Sequence, residues 1–170
     1  MRSAYIPGLA SGLLMLSLFF GAQAAELRPS DASPSSDTTP VLTIRDHGER
    51  QRLSLADIEA AGLYESRFRH FEGPEGRFLG VRLTSLLDEH DISGFQRVRL
   101  VAEDGYTVFL NPDELRQKAY LLVTRLDGEP IPRDAFGPLM LVVPEDAEAV
   151  MDGHPSMTQW IWGIVELQAL

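Results

Sequence analysis

Residues 97–115 read RVRLVAEDGYTVFLNPDEL, and their pattern decides the fold. Val98, Leu100 and Ala102 alternate with Arg97, Arg99 and Val101; beyond Asp104-Gly105, Tyr106, Val108 and Leu110 alternate with Thr107 and Phe109. A period of two places one side of each segment on a buried sheet face. Asp-Gly between two such segments predicts an antiparallel hairpin with a type I′ turn, because both residues tolerate the positive φ that this turn needs. Asn111-Pro112 ends the second strand. Proline has no N–H for the ladder, and its fixed φ suits the first turn of a helix, which Asp113, Glu114 and Leu115 open.

Working outward, residues 41–45 read as a strand. Ser54 is the expected N-cap of a short helix with Leu55, Ile58 and Ala61 on its buried stripe and Gly62 as its stop. Residues 65–72 (ESRFRHFE) form a strand, 73–76 a turn, and 77–81 a second strand or extended arm. A helix follows over 83–90, capped by Thr84. Beyond the hairpin come a helix over 113–118, an apolar strand over 119–126 and a turn at 127–130. Residues 139–143 (LMLVV) are a buried strand closed by Pro144, and 145–155 an acidic loop. The last strand spans 157–167, with Ile161, Val165 and Leu167 opposite Trp160, Trp162 and Ile164. The class is α+β, a mostly-β single domain with short helices at the sheet edges.

The first 24 residues read as a cleavable export signal. Arg2 is followed by an apolar run over 9–20 and by Ala22-Gln23-Ala24, a small-residue cleavage site. The run is short for a membrane span, and no other is long enough, so the mature protein is expected in the periplasm and not inserted in a membrane. Residues 25–40 are rich in Ser, Pro, Asp and Thr and read as a disordered tether; 41–170 are the domain. The net charge of −10 argues against nucleic acid or anionic membranes as partners. There is no cysteine, which excludes disulfides, thiolate metal sites and cysteine nucleophiles. His47, His70, His90 and His154 form no H-x-H or H-x-x-x-H pair, so zinc has little support. No G-x-S-x-G elbow, Walker or dinucleotide glycine pattern is present.

Four segments occur in an ordered set: Gly80 to Leu87 as G-x-x-L-x-x-L-L, Asp104-Gly105-Tyr106, Asp127-Gly128-Glu129-Pro130-Ile131, and Gly137 to Pro144 as G-P-x-x-L-V-V-P. Together they resemble the sulfite-oxidase-type molybdopterin-binding fold over about residues 41–170. In that family's enzymes a cysteine ligates molybdenum about a dozen residues before the first segment. Here that place is SRFRH, Ser66 to His70. The chain looks more like small periplasmic members that bind a reduced pterin without molybdenum. Those act on the periplasmic region of a membrane signalling protein that makes or degrades cyclic di-GMP, or on a sensor kinase. The resemblance implies a pterin as ligand, no metal and no catalysis. The alternative is a molybdopterin-dependent oxidoreductase or a subunit of one.

A pterin is flat, with a polar edge, so its site needs an aromatic face and acceptors for that edge. Trp160 and Trp162 are either the stacking platform or caps on the core. Phe68 and Phe71 sit where the metal ligand of the enzymes would be and either face the pocket or pack internally. Asp104 either serves the turn or contacts ligand, and Tyr106 is expected to bury its ring with its hydroxyl within reach of ligand. Arg67, Arg69 and Arg77 cluster near the same segment, where the resemblance implies contact with a cofactor phosphate; a solvated strand edge is the other reading.

Overall fold

The computed structural model describes residues 25–170, so the proposed export signal over 1–24 lies outside the described residues. The hairpin forms as its alternation requires. Strand β6 (Val98–Ala102) pairs antiparallel with β7 (Thr107–Leu110), and Val98, Leu100, Val108 and Leu110 are buried. Its turn differs from expectation. Ala102 N donates to Tyr106 O and Gly105 N to Ala102 O, and of the three residues between them only Gly105 has a positive φ, 88°. This is a three-residue loop with glycine at the left-handed position. Two-residue turns with both φ positive occur instead at His47-Gly48 and at Asp127-Gly128.

Two sheets carry the fold. The second runs β3-β2-β12-β6-β7, with β2 at Pro40–Asp46, β3 at Glu49–Ser54 and β12 at Ile164–Ala169. The first runs β1-β4-β5-β8-β10-β11, with β9 paired to β8. Its members are β1 (Arg28–Pro29), β4 (Leu63–Arg69), β5 (Glu75–Arg82), β8 (Leu121–Leu126), β9 (Glu129–Pro130), β10 (Met140–Val142) and β11 (Ile161–Trp162). The α+β, mostly-β class holds.

Alternation in the first sheet separates two apolar clusters. Leu79, Val81, Leu122 and Leu141 face a core shared with Leu42, Ile44, Leu100 and Leu167 of the second sheet. Phe78, Leu121, Val123, Met140 and Val142 face the other way, into a smaller cluster with Phe68 and Trp160. Each such fully buried side chain contributes about 1.5–3 kcal/mol relative to exposure. At Gly80 the β5–β8 register shifts, and a Cβ there would lie 2.0 Å from Leu122 O, so only glycine permits this approach.

Of the two helix caps read from sequence, Ser54 holds and Thr84 does not. Ser54 and Asp57 form a capping box on α1 (Leu55–Glu59), and Asn111 and Glu114 form another on α3 (Pro112–Gln117). Thr84 does not cap α2 (Leu83–Glu89), whose N-cap is Arg82. The acidic stretch after Pro144 is a 3-10 turn followed by α4 (Ala147–Met151) rather than a loop. The expected single strand over 157–167 is a 3-10 segment, Pro155–Gln159, then β11 and β12. Gly163 (φ 67°) lies between those strands and lets the chain pass from one sheet to the other.

Residues 25–40 are not a free tether. Strand β1 pairs with β4, and Ser30 Oγ donates to Glu65 Oε2 at 2.8 Å. Glu59, fully buried, accepts from Ser35 N (2.6 Å), Thr124 Oγ1 (2.7 Å) and Arg125 Nε (2.9 Å). Arg125 also forms an ion pair with Glu59 and donates to Ser33 O at 3.0 Å. The segment is held by hydrogen bonds to a buried charge pair more than by apolar area. Among the described residues no helix is long and apolar enough to cross a membrane.

Candidate functional site

The hairpin tip and the 3-10 segment face each other across a cleft of about 340 Å³. Asp104 and Tyr106 supply one wall; Met157, Thr158 and residues 160–162 supply the other; Phe71 closes one side. Tyr106 Oη donates to Thr158 O at 3.1 Å and ties the walls together. Asp104 Oδ1 accepts Tyr106 N at 2.9 Å and so fixes the loop, as expected of Asp before Gly. An ionised carboxylate keeps further acceptor capacity beyond that bond. Tyr106 is 50% exposed, so its ring lines an open cleft rather than the core, against expectation.

Behind the aromatic wall lies His70. It is 1% exposed, with its ring stacked on Phe71 (centroids 4.7 Å apart) and close to Trp160 (5.1 Å), Trp162 (5.7 Å) and Phe136 (5.8 Å). Phe136 takes a positive φ, 75°, which costs a non-glycine residue energy, and Gly163 N donates to its carbonyl at 3.1 Å. His70 Nδ1 accepts Glu72 N at 3.1 Å, which leaves Nε2 as the N–H of the neutral ring. Burial pushes the His70 pKa down to about 4. His70 Nε2 and Trp160 Nε1 are both buried, and neither has a hydrogen-bond partner among the described residues.

Of the nine candidate residues, Phe71, Asp104, Tyr106, Trp160 and Trp162 meet in this cleft. Phe68 does not: it stacks on Phe78 at 4.1 Å and meets the edge of Trp160 at 5.8 Å. The three arginines are also elsewhere. Arg67 and Arg69 are exposed on β4, and Arg77 pairs with Glu65 at 3.3 Å. Arg67 and Arg69 alternate with Phe68 along β4, and Arg77 of β5 pairs with Arg67, so all three lie on the sheet face opposite Phe68. His70 was missed as a site residue, although its place two residues after Phe68 sets it on the same face.

The cleft suits a flat ring. It offers indole and phenyl faces for stacking and one carboxylate for a donor edge, while two buried N–H groups, of His70 and Trp160, lie behind its aromatic wall and are not exposed in it. It suits a phosphate less well, because its one charged lining residue is Asp104. For molybdenum the chain has no thiolate, and among the described residues no group of three or more His, Asp or Glu could hold a metal. Ser66 Oγ is buried without a partner, but Ser66 does not line the cleft. The residues therefore fit the pterin ring and not the metal-bearing, phosphorylated remainder of a molybdopterin.

The two sheets hold a cleft whose walls suit a planar, polar heterocycle. The chain belongs to the oxidoreductase molybdopterin binding domain family, whose model matches residues 44–151. The matched span includes His70, Phe71, Asp104 and Tyr106, while the wall formed by residues 157–162 lies beyond it. Membership supports pterin binding at the level of the family. No curated protein matches the chain.

Proposed function

We propose that this domain is a periplasmic, non-catalytic pterin-binding module that reports ligand occupancy to a membrane signalling partner. The observation that carries the reading is the aromatic cleft, with Asp104 as its charged wall residue and no thiolate anywhere in the chain. Stacking on Trp162, the partly exposed ring of the wall that the buried Trp160 backs, supplies affinity, and Asp104 takes the aminopyrimidinone donors. Export rests on the leader read from residues 1–24. The partner, on the family likeness, is the periplasmic region of a protein that makes or degrades cyclic di-GMP, or of a sensor kinase.

Packing around Trp160 supports a relay of occupancy to the surface. Gln159, next to Trp160, accepts Tyr120 Oη at 2.7 Å and donates to Glu114 Oε1 at 2.9 Å. Glu114 caps α3 through Asn111 N at 2.7 Å. A shift of the Trp160 wall therefore bears directly on the start of a surface helix.

The test is to purify the protein, denature it, and measure released fluorescent pterin and molybdenum on the same sample. Pterin without molybdenum is expected, and Trp162→Ala should lower pterin affinity by about tenfold, the order of one stacking contact. A protein that neither carries nor binds a pterin refutes the reading. Stoichiometric molybdenum would replace it with the oxidoreductase alternative.

A further inference from the structure

The least satisfied polar groups near the cleft are His70 Nε2 and Trp160 Nε1. A buried N–H without an acceptor costs about 1–3 kcal/mol, so two in adjacent rings call for a compensating partner. No tautomer shift relieves His70, because Nδ1 is held as an acceptor by Glu72 N. Both groups can only donate. They sit against Trp160 and Trp162, which line the cleft, whereas Asp104 on the opposite wall can only accept when ionised. Two donors thus lie one ring behind the aromatic wall, and the cleft's one carboxylate lies on the other.

We propose that His70 is the specificity-determining residue of this cleft: with Trp160 it donates to an acceptor edge of the bound ring, while Asp104 accepts from the ring's donor edge. The proposal rests on the pterin reading and deepens it. The ligand class it defines is a planar heterocycle with a carbonyl or ring-nitrogen acceptor on one edge and amino or N–H donors on the other. In a pterin the 4-oxo group, joined by N5 in the oxidised and 7,8-dihydro forms, supplies the acceptors, and the 2-amino group and N3–H the donors. Trp162, the partly exposed ring of the wall, turns aside to admit the acceptor edge and then stacks on the ligand. A ring bearing an amino group in place of the 4-oxo group sets donor against donor and binds poorly. His70 stays neutral at pH 7 because charging it would bury an unpaired cation, and the neutral form keeps the Nε2–H in place.

The experiment is a double comparison by tryptophan fluorescence at pH 7: pterin against 2,4-diaminopteridine, on the purified protein and on His70→Phe. The contribution of Asp104 to each ligand is the same in both proteins and cancels in the ratio of ratios. The unaltered protein should prefer pterin, and His70→Phe should shrink that preference by about tenfold, the order of one hydrogen bond to a buried donor. His70→Gln, whose amide nitrogen can replace Nε2–H, should retain most of the preference. Trp160→Phe, which removes the second N–H of the pair together with part of the buried ring, should shrink it independently and serves if His70→Phe fails to fold. An unchanged preference in the variants overturns this assignment and leaves the pterin reading standing. Failure of the unaltered protein to bind either ring overturns both.

Discussion

Acid destabilises this domain through His70, and by an amount that its burial sets. The unfolded imidazole titrates near 6.5, whereas the folded one is held neutral down to about 4. The folded state therefore binds fewer protons, so stability from this group is present above pH 6.5 and is lost as pH falls toward 4. Two-state linkage with those values removes about 1.4 kcal/mol by pH 5.5 and about 3 kcal/mol by pH 4. The working range should stop near pH 5.5, because the sequence pI is about 4.8 and the protein loses its net charge there. Asp37 and Asp57 also have lowered pKa values from hydrogen bonds to Thr39 and Ser54, and they add acid sensitivity of the same sign. The assay subtracts them: urea unfolding of the protein and of His70→Phe, followed by tryptophan fluorescence from about pH 7.5 to 5.5. The gap between the two stabilities should change by about 1.4 kcal/mol over that range, the unaltered protein losing more. Parallel curves would show that His70 protonates freely in the folded state, and the account of its burial would be wrong.

Other substitutions probe the frame around the site. Arg125→Ala strands the Glu59 carboxylate in the interior and releases the segment around Ser33 and Ser35; a loss of about 3 kcal/mol in urea unfolding is expected, with early proteolysis before residue 40. Gly80→Ala drives a methyl group to 2.0 Å from a backbone carbonyl, and a lowered urea midpoint worth about 3 kcal/mol, the upper end for overpacking, should follow.

Much of this fold is legible in local pattern. The β6–β7 hairpin, the Ser54 cap, the helix start at Pro112 and the apolar strands at 121–126 and 140–142 all announce themselves within a few residues. Strand β3 does not. Glu49, Arg50, Gln51 and Arg52 are exposed, so no alternation marks an edge strand that is held by pairing with β2. Composition also misleads over residues 25–40, because what orders them is Glu59, Glu65 and Arg125, all distant in sequence. In the site, Asp104-Gly105-Tyr106 and the two tryptophans stand out by residue type. His70 does not, because its burial is made by rings from three separate stretches that only the fold brings together. The arginines illustrate the converse. Nearness in sequence to Ser66–His70 suggested a shared site, but the two-residue period of β4 sends Arg67 and Arg69 outward.

The placement of β12 governs the order in which the molecule can assemble. The β2–β3 and β6–β7 hairpins touch within their sheet only through this strand, which is parallel to β2 and antiparallel to β6. During synthesis the two hairpins therefore emerge as separate pieces, and their common face stays open to solvent until residues 164–169 arrive. The wall of the cleft, Trp160 to Trp162, is the length of chain immediately before that closing strand. The cleft therefore waits on residues 164–169, and a nascent chain that has not yet reached them has neither a finished core nor a fixed wall.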